Sequence, residues 1–230
     1  MPAVEAIVFD LDNCLLATAE IGAALVEPAL AAIRAVNRGR LSEARLQAAF
    51  ADIWRHPLDW VAHRHDFSDA MRAAAWREFA RLRVDTPLRG YDDLATLPEL
   101  PVARFLVTSG FRVLQQSKID ALGLTPMFTG IHIDAIDEPA RQGKQALFAR
   151  ILSDHDLHPA HVLVVGDSAE SEIAAGNRLG MRTVQILRPG VPCAANASLH
   201  ISGLVDLHAL LAGCPPRRPP GTTADTPTSR

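Results

Sequence analysis

The chain has 230 residues, 48% hydrophobic and 21% charged, the composition of an ordinary globular protein with room for a sizeable core. A formal net charge of −3 gives no basic field for a nucleic acid or an anionic membrane, and no apolar run reaches the length of a membrane-spanning helix. Three cysteines (Cys14, Cys193, Cys214) without zinc-ligand spacing read as reduced thiols of a cytoplasmic protein, and Glu5 and Asp10 interrupt the start before a signal-peptide core develops.

The first element is a short buried strand, Val4 and Ile7-Val8-Phe9 around Ala6, which runs straight into Asp10-Leu11-Asp12. Residues two apart on an extended backbone face the same side, so both carboxylates share a cleft at the strand's carboxyl end. Anions that close need a cation, a shared proton or solvent between them. A hard divalent ion such as Mg²⁺ is the simplest resolution, because it prefers a few carboxylate oxygens plus water and substrate phosphate.

Residues 16–89 read as a helical insertion without an alternating strand. Residues 23–36 carry Ala and Leu at helical spacing, with Pro28 opening the helix after a break and Asn37-Arg38-Gly39 stopping it. Ser42 caps a second helix through Leu46, Phe50 and Trp54, which ends before Pro57. A short segment at 58–64 precedes a third helix at 68–82, striped by Met71, Ala75, Phe79 and Leu82. Trp54, Trp60, Trp76, His63 and His65 read as core or solvated-face residues, and the two histidines, two apart, diverge on a helix rather than pair on a metal.

Pro87 and Gly90 mark the return. A short helix at 91–100 leads to a strand at 102–107 that ends in Thr108-Ser109-Gly110, then a helix at 111–122 stopped by Gly123. A third strand at 130–136 precedes a helix opened by Lys144, which with Lys118 makes up the whole lysine content. The clearest strand, Val162-Leu163-Val164-Val165, runs into Gly166-Asp167-Ser168; a helix at 170–179, strands at 183–187 and 199–202 and a helix at 204–211 follow. Buried strands alternating with helices predict an α/β fold with a doubly wound parallel sheet. The expected division is a core from 1–15 and 90–214, an inserted helical domain at 16–89, and a disordered Pro-rich tail at 215–230. Ligands of such sheets bind beyond the carboxyl ends of the strands, where Asp10, Thr108 and Asp167 all fall.

The run FDLDNCL, then LVTSG, then a lysine opening a helix, then VVGDSAESEIAAG, resembles the haloacid dehalogenase superfamily of phosphotransferases over all of the chain except the tail. The resemblance implies a Rossmann-like core, a helical cap inserted after the first motif, and Mg²⁺-dependent hydrolysis of a small phosphorylated metabolite. It makes Asp10 the nucleophile that forms an aspartyl-phosphate, and Asp12 the group that protonates the leaving alcohol and then activates water. Thr108, Ser109 and Lys144 are the implied phosphate-binding residues. Asp10, Asp167 and the backbone carbonyl of Asp12 are the implied metal ligands. Glu172 stands where the family usually has Asp, and its longer side chain suits orienting the metal or its waters from one step behind. Cys14 stands where Thr or Val is usual, with a modest risk that its oxidation affects activity.

Within the superfamily, Asp12 argues against a dehalogenase, which needs no second acid. A transport ATPase carries Thr there and long membrane segments, and a phosphonate hydrolase uses a cap lysine, which residues 16–89 lack. Phosphomonoester hydrolysis is the leading expectation; a phosphomutase shares its motifs, and a non-catalytic regulator that binds a phosphorylated ligand is the reading from another class. Neither a nucleic acid nor a membrane is an expected partner.

Overall fold

Residues 3–213 are described in the computed structural model of the chain. Cys214 and the expected disordered tail at 215–230 lie outside them. Six parallel strands form one sheet: β1 (Ala6–Phe9), β2 (Ala103–Gly110), β3 (Gly130–Ala135), β4 (Val162–Gly166), β5 (Arg182–Ile186) and β6 (Leu199–Ile201). Their order, β3-β2-β1-β4-β5-β6, is that of a doubly wound Rossmann-like sheet. The chain leaves β1 toward one edge, then returns to its other side, so the switch point lies at β1 and β4. Phe9 pairs with Val165 there, and the Asp10 N–H donates to the Val165 carbonyl at 2.9 Å.

The sheet is covered on both faces, which is why its strands read as unbroken apolar runs. Ile7 and Phe9 pack one way with Leu106, Leu163 and Val165, against leucines of the segments at 92–100 and 204–210. Ala6 and Val8 pack the other way with Phe105, Val107 and Val164, against Leu147, Phe148 and Ile151. That second face is covered by α6 (Lys144–Asp154) and α7 (Ala174–Arg178); on the first lie α5 (Arg112–Ala121) and α8 (Asp206–Leu211).

Between β1 and β2 lie α1 (Ala23–Val36), α2 (Glu43–Asp52), α3 (Leu58–Arg64) and α4 (Asp69–Phe79). Each buries an apolar stripe in a shared cluster, Val26, Ala29 and Ile33 from α1 against Met71, Ala75 and Phe79 from α4. Ser42 and Ser68 cap α2 and α4, their hydroxyls accepting from the N–H groups of Arg45 and Met71. No helix among the described residues is long and apolar enough to cross a membrane.

Several local expectations change. Pro28 lies inside α1 rather than at its start: the helix begins at Ala23, and its buried stripe carries it through the single N–H that proline removes. Residues 92–99 form a 3₁₀ helix that contains Pro98 instead of an α-helix. The helix expected at 170–179 opens as a π-type turn, Ala169–Ile173, before α7. The two crossings between helical lobe and sheet lie side by side, where Glu20 accepts from the N–H groups of Arg89 (2.5 Å) and Gly90 (3.0 Å). Gly90 has φ +68°, and a Cβ there would meet the Leu15 carbonyl oxygen at 2.8 Å, so this junction excludes a side chain.

Candidate active site

The carboxyl ends of β1, β2 and β4 open into one cleft, and Asp10, Asp12, Thr108, Ser109, Lys144 and Asp167 all line it. Asp10 leaves β1 and Asp167 leaves β4 at the switch point, while α6 delivers Lys144 from its first residue. The Lys144 ammonium donates to Asp10 Oδ1 at 2.6 Å and to Glu172 Oε2 at 2.8 Å, all three side chains being buried. Glu172 Oε1 in turn accepts the Ser168 N–H at 2.5 Å, which folds the π-type turn over the end of β4. Gly166 makes this possible, since a Cβ there would stand 2.2 Å from Glu172 Cγ.

One oxygen each from Asp10, Asp167 and Glu172 lies within 4.8 Å of the others. Burial, with Glu172 and Asp12 nearby and only partly offset by Lys144, pushes the Asp10 carboxyl up to about 7. Burial, then Glu172 and Asp10, pushes Asp167 up to about 9. Lys144 moves the opposite way to what burial alone dictates, because Asp10 and Glu172 hold its proton. With all four ionised, Asp10, Asp12, Asp167 and Glu172 outnumber by two the ammonium groups they face among the described residues, Lys118 and Lys144, and a bound cation would offset that excess. All candidate donors are oxygens, so the residues fit a hard divalent cation and not a thiophilic one.

Asp12 is not part of that triad. Lys118, whose side chain is 4% exposed, donates to Asp12 Oδ1 at 2.8 Å and Oδ2 at 3.0 Å. Gln115 Nε2 donates to Asp12 Oδ2 (2.9 Å) and to Thr108 Oγ1 (2.5 Å), and the Thr18 hydroxyl donates to Asp12 Oδ1 at 3.2 Å. Burial would raise the Asp12 carboxyl, but Lys118 and the two hydrogen bonds more than offset it and hold its pKa below the ordinary value. Lys118, Gln115 and Thr18 were not singled out by the sequence reading. The available signal was the spacing of Gln115 and Lys118, three apart on the helix that starts at the end of β2, and the rarity of lysine.

Ser109 reaches the cleft, but its hydroxyl donates to Asp134 Oδ2 at 2.9 Å. Buried Asp134 also accepts the Gly143 N–H at 2.9 Å, which ties the end of β2 to the start of α6 just ahead of Lys144. Cys14 is fully buried, its thiol donates to the Val165 carbonyl at 3.7 Å, and burial holds its pKa well above the usual value. Oxidation needs exposure and the thiolate, so burial works against the expected oxidation sensitivity of this thiol.

The helical lobe closes the cleft with Trp54, His56 and Trp60. The reading of Trp54 and Trp60 as core or solvated-face residues is therefore incomplete. Trp76 does pack in the lobe, edge-on to Phe111 at 5.7 Å. His63 is exposed and His65 pairs with Asp52 at 2.7 Å, so the two do not converge.

A family model described as haloacid dehalogenase-like hydrolase matches residues 4–180. No curated protein matches the sequence significantly. Among solved structures, the HAD-hydrolase YfnB from Bacillus subtilis, bound to magnesium, superposes with a TM-score of 0.61 at 17% identity, covering 91% of this chain and 99% of that one. A HAD phosphatase from Thermococcus onnurineus gives 0.61 at 20% identity over 92% and 99%. A 2-haloacid dehalogenase from Pseudomonas syringae pv. Tomato DC3000 gives 0.58 at 20% identity over 91% and 99%. At such identities the likeness is one of fold.

Proposed function

The chain belongs to the haloacid dehalogenase-like hydrolases, and from that membership we propose that it is a magnesium-dependent phosphomonoester hydrolase acting on a small phosphorylated metabolite in the cytoplasm. The observation that carries this reading is the second acid. Asp12 lines the same cleft as Asp10, held by Lys118, Gln115 and Thr18, although halide displacement gives such a group nothing to do.

Asp10 is the nucleophile, and a carboxylate needs no base to activate it. Mg²⁺, held by Asp10, Asp167 and the Asp12 backbone carbonyl, would offset the charge of carboxylate and phosphate so that the two can approach. Lys144 stabilises the phosphoryl oxygens and keeps Asp10 aligned, and Glu172 orients Lys144 and the metal site from behind. Thr108 and the backbone of the Ser109 segment bind the phosphoryl oxygens from the β2 side. Asp12, already anionic, accepts the proton of the water that cleaves the aspartyl-phosphate; for the leaving alcohol it must first gain a proton against the pull of Lys118. The helical lobe acts as the cap that limits water and frames the leaving group.

The test is phosphate release across a panel of phosphorylated metabolites, with and without Mg²⁺, in the wild type and Asp10→Asn. Release that requires Mg²⁺ and falls about a thousandfold or more in the variant is expected. Activity that survives Asp10→Asn overturns the nucleophile, and tight binding without turnover favours a regulator.

A further inference from the structure

Away from the carboxylates the cleft wall changes character. The chain between α2 and α3 brings Trp54 and His56, α3 brings Trp60, the last residue of α4 is Phe79, and Phe111 follows β2. The His56 and Trp60 rings stack with centroids 3.9 Å apart and planes 20° from parallel. Behind them Phe79 and Phe111 stack at 5.6 Å and 25°, buried in the lobe's apolar cluster as backing for that wall. The segment is pinned over the core at two points, by Asn13 Nδ2 on the Trp54 carbonyl (3.2 Å) and Arg55 Nη1 on the Gly190 carbonyl (2.6 Å).

The two ammonium groups of the cleft are already paired with carboxylates. Among the described residues lining it, Lys118 pairs with Asp12, Lys144 with Asp10 and Glu172, and Arg55 is turned to Gly190. Burial lowers the pKa of His56, which keeps its ring neutral and able to stack. A leaving group with a second phosphate or a carboxylate meets ammonium groups already held by carboxylates, and an Arg55 that turns one guanidinium N–H to the Gly190 carbonyl. The cleft measures about 150 Å³ and runs without a break from the carboxylates to Trp54, His56 and Trp60, so one ligand can touch both.

We propose that this aromatic wall is a leaving-group subsite, and that the chain hydrolyses phosphate esters of small, uncharged aromatic alcohols. The proposal rests on the phosphatase reading. The ring packs against Trp54 and the half-buried His56–Trp60 pair, while the ester oxygen stays beside Asp12. Water attacks the aspartyl-phosphate after the alcohol has left, so the products are the free alcohol and inorganic phosphate, with Asp10 restored.

The test compares benzyl phosphate, glycerol 3-phosphate and phosphoglycolate as Mg²⁺-dependent substrates. The benzyl ester carries a ring on an alkyl-type oxygen, which separates ring binding from the acidity of a phenol. In parallel, calorimetry compares binding of non-hydrolysable benzylphosphonate and methylphosphonate. The expected kcat/KM for benzyl phosphate exceeds that for glycerol 3-phosphate by about tenfold or more, a difference one packed ring can supply. Trp60→Ala and, separately, Trp54→Leu should reduce that ratio to about twofold, chiefly through the KM of the benzyl ester. Benzylphosphonate should bind about tenfold more tightly than methylphosphonate.

Equal kcat/KM values, or a preference for phosphoglycolate that Arg55→Gln weakens through KM, would overturn the subsite. Asp10-dependent hydrolysis of glycerol 3-phosphate without benzyl preference sinks the subsite and leaves the phosphatase standing. Tighter benzylphosphonate binding without turnover of any ester supports the subsite and sinks the phosphatase.

Discussion

Asp12 touches three side chains, and only one of them, Lys118, carries charge. Replacing it by Met leaves a poorly hydrated carboxylate without its cation, a loss expected to cost about 3 kcal/mol of stability, read by denaturant unfolding. The same change lets the Asp12 pKa rise, so the acid limb of the pH–rate profile should move to higher pH. The depressed pKa of Asp12 contributes stability that is present above its unfolded value and lost as pH falls through the folded one. Asp10 and Asp167 have the opposite sign. Their folded values, about 7 and about 9, lie above the unfolded value of 3.8, so the folded chain binds more protons through that window. With divalent cations chelated, stability should therefore fall as pH rises from about 4 to about 9. Mg²⁺ needs the ionised carboxylates, so the Tm increase it produces should be larger at about pH 8.5 than at about pH 5.5. Equal increases would contradict carboxylate ligation. At this scale the position of Asp10, Asp12 and Asp167 in one cleft was legible, because Asp10 and Asp167 directly follow apolar strands and Asp12 lies two residues beyond Asp10. Lys118 was not, because its partner is 106 residues away and only the packing of α5 against β2 brings them together.

The turn after β4 shows how an element is shaped by one tether. Ile173 N–H donates to the Ser168 carbonyl, closing one residue wider than an α-helix, and the Glu172 carboxylate caps the Ser168 N–H inside that loop. Gly166 leaves the space that Glu172 occupies. Gly166→Ala is expected to push Glu172 off Lys144 and Ser168, with a loss of about 1–3 kcal/mol and weaker Mg²⁺ binding, measured by unfolding and by calorimetry. The strand Val162-Leu163-Val164-Val165 could be read from its apolar run, and the glycine after it as a turn. The π-type opening could not, since helical periodicity is blind to a carboxylate that folds back on its own backbone. Pro28 failed for a similar reason: the buried stripe of α1 outweighs one missing hydrogen bond.

Across the whole molecule, the sheet and the helical lobe have separate apolar clusters, and Phe111 and Leu114 of the core segment insert into the lobe's cluster. Polar ties add to this. Arg188 donates from Nε and Nη2 to the Cys14 carbonyl at 3.1 and 3.0 Å, grips both oxygens of Asp93 and lies 4.0 Å over the Tyr91 ring. Arg141 joins Asp59 of the lobe to Asp134 of the core. Arg188→Met should cost about 3 kcal/mol by leaving Asp93 without its cation, and should loosen the loop that carries Asp10 and Asp12; hydrogen exchange at Asn13 to Leu16 would report it. The alternation of strands and helices made the α/β layout readable. These ties were not, because they join residues 174 and 95 positions apart whose chemistry has no local pattern.

The central claim is that Asp10 carries the phosphoryl group. Acid-quenched turnover of the best substrate with Mg²⁺, followed by peptide mass spectrometry, measures this directly, with Asp12→Asn used to slow hydrolysis of the intermediate. The predicted result is one phosphoryl group on the peptide that holds Asp10, dependent on Mg²⁺ and absent in Asp10→Asn. Turnover with no phosphorylated Asp10, or a phosphoryl group on another residue, would contradict it.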